Sequence, residues 1–559
     1  MSDSTGDLIT RVYGSFRGVD FRGDEINLVR SPDSLNVWKD YKETESIRTR
    51  PGMKLNAKTE DTVYGVFFFN GMMLVHSGTR LYKVVKGVKT QLYSGLKAQP
   101  SSSFIYENLW YFKDGKHYLQ YDGTTIKEVV GYVPTTSIAR KPAGGGTVYE
   151  DVNLLDGRRI NTFLADGESK DFYLDAKNID SSYKPIVKVN DKAVTDFTAD
   201  YSKGMISFPT APGVPKTDGQ DNVSIQFRKT VSGYRERIEN CTLLQLFDNR
   251  VFFSGNPNYP NTVWHCSLDD PGYCSDLDYY NEGLDNAAIK GLVAGNNALW
   301  VFREPSGANT TVFYHSPTLD SDYGKIYPSQ HSSVTTGCVG KAVNFNDDIV
   351  FFSDRGMEGI SGDVTTEQVV AHRSSLVDRK LIAEQGYRDM VLEEWEGYLF
   401  VFIGDKAYLA DSRTAFTNEN HTEYEWFYWE LDKKVHCARV YNGVLYVGSD
   451  DGVYTFTPNE GNVECYWTTP KDKFKYPHKL KTTNKRGCVA EATGDISVYA
   501  KTEKTDFELI GTYENVADYF VSRIKRKKFK DIQLKFYSKT RFSLETVTLE
   551  CFIGGYVKR

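Results

Sequence analysis

The sequence predicts an all-β protein: a seven-bladed β-propeller that carries an inserted small β-sandwich and a C-terminal β-sandwich-like module. Three observations lead there. Aromatic residues make up 14% of the 559-residue chain, with 37 Tyr and 32 Phe, and such side chains favour pleated, half-buried surfaces. Helical periodicity is nearly absent, the stretch 377–383 being the best short candidate. A turn-plus-strand unit recurs seven times.

The unit is a polar pair followed by an apolar run. Asn70-Gly71 precedes Met-Met-Leu-Val, Glu107-Asn108 precedes Leu-Trp-Tyr-Phe, and Asp248-Asn249 precedes Arg-Val-Phe-Phe. Asn296-Asn297, Asp347-Asp348, Glu396-Gly397 and Asn442-Gly443 head the other four. A two-residue hairpin loop needs positive φ at both central positions, which Asn, Asp and Gly tolerate best. The runs behind these pairs are nearly continuous in apolar residues, as for strands buried on both faces. The spacings are 37, 141, 48, 51, 49 and 46 residues. Five of them fit a four-stranded blade, and the long one equals a blade plus roughly 90 residues, an inserted domain.

The boundaries follow. Residues 1–60 read as an irregular N-terminal arm and 61–140 as the first part of the propeller. Residues 141–235 form an inserted β-sandwich domain, opened by Lys141-Pro-Ala-Gly-Gly-Gly146 and patterned by Val187-Lys-Val, Met205-Ile-Ser-Phe and Val223-Ser-Ile-Gln-Phe. Residues 236–463 are the second part of the propeller, and 464–559 a C-terminal β-rich module. That module holds the most basic stretch. Its Arg523, Lys525, Arg526, Lys527, Lys528 and Lys530 are a candidate interface for DNA or an acidic partner ring, or else an edge strand guarded by charge.

Other chemistry is not signalled. A net charge of −6 gives no bulk attraction to nucleic acid or anionic membrane. No run is long enough to span a bilayer, and the N-terminus lacks a signal-peptide pattern. The eight Cys are scattered and read as buried thiols of a cytoplasmically made protein. The nine His form no metal spacing; His265-Cys266 and His436-Cys437 are neighbours on a strand and face apart. No phosphate loop or nucleophile elbow occurs. Asp269-Asp270, Glu393-Glu394 and Asp450-Asp451 read as turns and solvated faces rather than the paired carboxylates of a glycosidase. Ser353-Asp-Arg-Gly and Ser449-Asp-Asp-Gly echo a sialidase repeat without its Trp. Arg22-Gly-Asp24 is a chance tripeptide. No catalytic residue, metal ligand or cofactor is therefore assigned, and the chain is not expected to be an enzyme. Tyr279-Tyr280 and Tyr424-Glu-Trp-Phe-Tyr-Trp429 are the aromatic clusters that could stack on sugar, against a core role.

Several segments resemble a family. Phe16-Arg-Gly-Val-Asp-Phe, Ser31-Pro-Asp-Ser-Leu-Asn-Val and Arg48-Thr-Arg-Pro-Gly look like the opening of bacteriophage tail structural proteins. Ala165-Asp-Gly-Glu-Ser and Gly204-Met-Ile-Ser-Phe are similar to small β-sandwich modules of phage tails, and Cys465-Tyr-Trp-Thr-Thr-Pro to the strand leaving such propellers. The nearest match is the tail hub or nozzle group of short-tailed phages, including packaged-DNA stabilisation proteins. The resemblance implies a homo-oligomeric ring, commonly of six copies, below the portal and adaptor of the virion. The ring would continue the DNA channel and retain the genome until ejection, without sequence-specific contact. The other reading is a tail-tip propeller that binds host-surface glycan or receptor.

Overall fold

The computed structural model describes residues 7–556 apart from 24–26, 43–45, 308–309, 322–323, 362–368, 419–420 and 526–527. Seven four-stranded antiparallel sheets lie at 63–94, 102–128, 243–281, 289–331, 342–372, 391–430 and 437–457, the last taking its fourth strand from Gly52–Lys58. They are blades 1 to 7 of a β-propeller. The chain divides into two compact units, 1–91 with 336–559, and 92–335.

Each blade opens with its first two strands joined by the expected turn. φ is positive at both residues of Asn70-Gly71, Glu107-Asn108, Asp248-Asn249, Asn296-Asn297, Glu396-Gly397 and Asn442-Gly443. In blade 5 the turn is Asn346-Asp347, one residue before the expected Asp347-Asp348. Asp348 starts the strand opposite Phe345, and the shift keeps Ile349 and Phe351 in the core. The second strands Ala298–Arg303 and Tyr398–Ile403 are buried at every position, the signature of sheets stacked on both faces.

In the first unit, apolar side chains interlock from blade 5 to 6, from 6 to 7 and from 7 to 1. Val350, Phe352, Tyr408 and Trp426 form one cluster, Phe400, Trp429, Val447 and Phe456 part of a second, and Val63, Val75 and Val453 part of a third. Blade 7 is completed by Gly52–Lys58, antiparallel to Gly452–Thr457.

The C-terminal module of this unit is one ten-stranded sheet. Its path runs Ser34–Leu35, Cys465–Thr468, Ile532–Ser538, Lys479–Thr502, Phe542–Tyr556, Ile47–Thr49, Val37–Lys39. The two end strands are consecutive in the chain through Asn36, so the sheet curls nearly into a barrel around Trp467, Val498, Phe536, Leu544 and Leu549. Leu8–Tyr13 pairs with Phe542–Tyr556, and Thr505–Val516 and Tyr519–Ser522 with Lys479–Thr502. The first sixty residues are thus not an irregular arm: they supply four strands to this sheet and the closing strand of blade 7. Such short pieces carry no readable period, and the partners of Leu8–Tyr13 and Ser34–Leu35 lie more than 400 positions away.

In the second unit, Phe104, Tyr118, Val251 and Phe253 join blades 2 and 3, and Phe252, Val263, Leu299 and Phe313 join blades 3 and 4. The insert packs a six-stranded sheet against a three-stranded one around Phe163, Phe172, Val187, Ile206, Ile225 and Phe227. It begins earlier than residue 141, because Thr135–Arg140 already lies in its larger sheet, parallel to Arg158–Phe163. The one helix expected, at 377–383, is a single turn, Asp378–Leu381.

Candidate functional site

The described residues of the basic stretch, 523–525 and 528–530, belong to no named strand and lie between Tyr519–Ser522 and Ile532–Ser538. Phe529 is buried and exchanges two backbone bonds with Lys481, at 2.8 and 3.1 Å. Lys481, itself buried, donates its Nζ to the Lys530 carbonyl at 2.7 Å, and the Lys530 amide donates to Glu503 at 2.9 Å. With the backbone so held, Arg523, Lys525 and Lys528 are exposed and Lys530 is half-buried; Arg526 and Lys527 lie outside the described residues. Burial lowers the pKa of Lys481, which serves structure and not the surface. Two further cations join the group. Gly487 packs on the backbone of Ser522 to Ile524, so closely that a Cβ would stand 2.3 Å from the Ser522 oxygen. That contact sets exposed Lys485 and Arg486 beside Arg523. None of the five exposed cations is ion-paired with a described residue. The Lys-Arg-Gly triplet was the only signal for the added pair in the sequence.

A second assembly of polar residues gathers every segment that carries the phage-tail resemblance in the first unit. Gly18, with φ of 105°, passes over Trp426 of blade 6, where a Cβ would fall 1.9 Å from the Trp426 oxygen. Phe16 meets Trp467 edge-on at 5.0 Å. Arg30 forks onto buried Glu425 with two bonds of 2.7 Å, and its guanidinium lies 4.2 Å from the Phe416 ring. Ser31 donates to the Thr468 carbonyl at 2.7 Å. Asn36, at positive φ, donates to the Glu464 carbonyl and accepts from the Glu430 amide and from Arg50 Nε, each at 2.9 Å. Arg50 is fully buried and also donates to the carbonyls of Pro51 and Glu430, at 3.0 and 2.9 Å. Burial lowers its pKa to about 10, so it keeps its charge at neutral pH. Gly52 begins the closing strand against Glu460, whose oxygen would lie 1.9 Å from a Cβ. These residues join blade 6, blade 7 and the C-terminal sheet through paired side-chain donors and acceptors.

Several of the carboxylates elsewhere, and some of the histidines, are engaged in structure. Glu393 accepts the Val440 amide at 2.7 Å, Asp270 accepts the Gly272 amide at 2.8 Å, and Asp450 and Asp451 hold His436 and Lys433 at 2.7 and 2.8 Å. Ser353 accepts the Arg355 amide at 3.0 Å as part of a turn. Buried His315 lies 2.8 Å from buried Glu282, but Ser329 bonds Glu282 rather than the imidazole, so the three are not a nucleophile and its base. A cleft of about 420 Å³ is lined by Asp354, Glu384, Tyr387 and Asp389, among others; Glu384 is already held by Lys406 at 2.5 Å and Tyr408 at 2.6 Å. Among the described residues no three His, Cys, Asp or Glu side chains are grouped to hold a metal. None of the eight Cys is in a disulfide, and seven of them are buried. Tyr424, Trp426, Phe427, Tyr428 and Trp429 are buried in the blade core, whereas Tyr279 is exposed. No helix among the described residues is long and apolar enough to cross a membrane.

The pKa of His372 is raised, whereas burial lowers that of His265. His372 lies between Asp378 at 2.5 Å and Glu358 at 3.2 Å. Burial opposes its charge, but the hydrogen bonds and charges of Asp378 and Glu358 prevail and raise its pKa to about 10. The stabilisation from this raised pKa is complete below the unfolded value near 6.5 and is lost as pH rises through about 10. His372→Gln is therefore expected to lower stability by about 1.5–3 kcal/mol at pH 6. The gap between wild type and variant should close above pH 10 in urea unfolding, and a gap independent of pH would contradict the ion-pair account.

The chain matches no known family model and no curated protein. Among solved structures, a streptogramin B lyase is 9% identical with a TM-score of 0.34, covering 72% of this chain and 97% of its own. BamB from Moraxella catarrhalis is 11% identical with a TM-score of 0.32, covering 80% and 97%. The exo-β-1,3-galactanase of Phanerochaete chrysosporium is 10% identical with a TM-score of 0.23, covering 55% and 94%. Likenesses at this level carry no statement about activity.

Proposed function

We propose that the protein is a virion structural component, a ring-forming tail hub or nozzle of a short-tailed phage, and not an enzyme. In this reading copies of the chain, commonly six, assemble in the host cytoplasm and sit below the portal and adaptor. They continue the DNA channel, retain the packaged genome and release it at ejection. The observation that supports it is the convergence just described. Phe16, Gly18, Ser31, Asn36, Arg50, Gly52 and Trp467 come from the segments that resemble phage tail proteins, and all meet at one junction of propeller and C-terminal sheet. A set of motifs spent on joining two modules suits a part selected for shape.

Electron microscopy of purified virions, with this chain located in the density, tests the reading. A ring between adaptor and tail tip is the expected result. Absence of the chain from virions would refute it, and binding of the isolated protein to purified host glycan would favour a receptor-binding role. A channel wall should repel DNA phosphate rather than hold it. The lumen is therefore expected to be lined by acidic and neutral side chains, and a bore lined mainly by Lys and Arg would contradict the channel assignment.

A further inference from the structure

Charge is divided along the chain. Residues 464–559 hold twenty Lys and Arg against twelve Asp and Glu, a net of +8, which leaves −6 − 8 = −14 on residues 1–463. Each sign has a surface on which it stands unpaired. The basic one is the face of the C-terminal module that carries exposed Lys485, Arg486, Arg523, Lys525 and Lys528, none ion-paired with a described residue. The acidic one lies in the second unit, where segment 149–152 runs beside the stretch leading into the outer strand of blade 3, Tyr279–Asn281. There the Asp276 amide donates to the Val152 carbonyl at 3.0 Å, and the Ser275 hydroxyl to Asp151 at 3.2 Å. Tyr132 donates its hydroxyl to Glu150 at 3.0 Å, and its ring lies 4.9 Å from that of Tyr273. Burial, then the charges of Glu150, Asp151 and Asp278, raise the Tyr273 pKa. Half-buried Glu150, Asp151, Asp276 and Asp278 are thus gathered on one surface, and none is ion-paired with a described residue. Burial raises the pKa of Asp276 and of Asp278, and the Asp151 charge adds to it in both, so a cation brought here relieves a standing repulsion. Tyr149, Leu277 and Tyr279 adjoin these carboxylates in the chain and are 64%, 67% and 43% exposed. Aromatic side chains of this kind are what protein interfaces collect.

We propose that the basic face of one copy of the chain seats on this acidic, aromatic face of the next. The two faces differ, so the contact is heterologous. Each copy gives one face and receives the other, and repetition closes a ring instead of stopping at a two-fold pair. The inference rests on the tail reading for that closure, while the contact itself needs only two copies. Three features select the occupant. The cations and carboxylates left over on one chain match in sign and nearly in number, five against four. A second copy satisfies both surfaces at once, whereas a DNA backbone would answer the basic face and be repelled by the other. Arg486 and Arg523 can each lay a guanidinium on an exposed ring, Tyr132 or Tyr149, while pairing with a neighbouring carboxylate.

Sedimentation velocity of the full chain should show association that grows with concentration and weakens as salt rises. R523E/K525E reverses the basic face, and L277K sets a cation between Asp276 and Asp278. Each should weaken association by about tenfold or more. The two variants mixed in equal amounts should pair again, because one keeps its acidic face and the other its basic face. Arg523, Lys525 and Leu277 are all exposed, so thermal melting of each dilute variant should match wild type. A wild type that stays monomeric at its solubility limit overturns the proposal, also where it retains a short DNA duplex through Arg523 and Lys525. So does an oligomer indifferent to both variants, or a mixture that stays dissociated. A ring seen in virions with these two faces turned apart sinks the contact and leaves the tail reading intact. Absence of the chain from virions sinks the tail reading, and association broken by these variants and rescued on mixing would still support the contact.

Discussion

Arg30→Ala is expected to destabilise the first unit by about 3–5 kcal/mol, the cost of leaving a buried charge without its partner. Glu425 is fully buried and takes two 2.7 Å bonds from Arg30, with Arg17 more distant at 3.9 Å. Burial already raises the Glu425 pKa, and Arg30 is the chief influence against that rise. Removing Arg30 leaves the carboxylate to take up a proton or to tear the segment off blade 6. The double variant R30M/E425M removes both charges and keeps the volume. It is expected to be near wild type in stability, or more stable by about 1–4 kcal/mol. Urea midpoints of the three proteins decide the matter. A single variant no weaker than the double one would mean that the pair does not hold the segment.

Gly52→Ala is expected to unseat the closing strand. The added Cβ would lie 1.9 Å from the Glu460 oxygen and 2.7 Å from its carbonyl carbon, both backbone atoms that cannot swing aside. The strand must shift or leave, at a cost of about 3 kcal/mol or more. Amide exchange should then accelerate across Gly52–Lys58 and Gly452–Thr457, while the insert stays protected. Gly71→Ala is the control: φ there is positive, unlike at Gly52, but nothing lies within 4 Å of the added Cβ. It should cost only about 1–2 kcal/mol of backbone strain and leave the closing strand protected. Equal effects of the two substitutions would contradict the steric account.

What could be read in advance was local. Six of the seven turns are recorded in two adjacent polar residues, all but Glu107 and Glu396 of types that accept positive φ readily, and the apolar runs behind them name the buried strands. Blade 5 shows the limit. Asn346-Asp347-Asp348 offers two overlapping pairs, and only the burial of Phe345 and Ile349 chooses between them. The ten-stranded sheet was not legible, because Ser34–Leu35 and Val37–Lys39 are too short to alternate, and the partners of Ser34–Leu35 and of Leu8–Tyr13 come from the other end of the chain. Thr135–Arg140 hid for a related reason: it pairs in parallel through two register shifts, so its side chains follow no period. The basic stretch was visible as composition, but its surroundings were not. Lys485 and Arg486 join it only through the backbone approach of Gly487.

The closing strand also fixes an order of events during synthesis. Its last residue, Lys58, pairs with Gly452, so 452 − 58 = 394 positions of chain separate the partners. At about 5–20 residues per second on the ribosome, Gly52–Lys58 must wait roughly 20–80 seconds for blade 7 to emerge. Leu8–Tyr13 waits longer, for Phe542–Tyr556. Throughout that interval the leading segment is an unsatisfied strand among half-made blades. Blade 1, with all four of its strands drawn from 63–94, can form at its back long before either terminus finds its place.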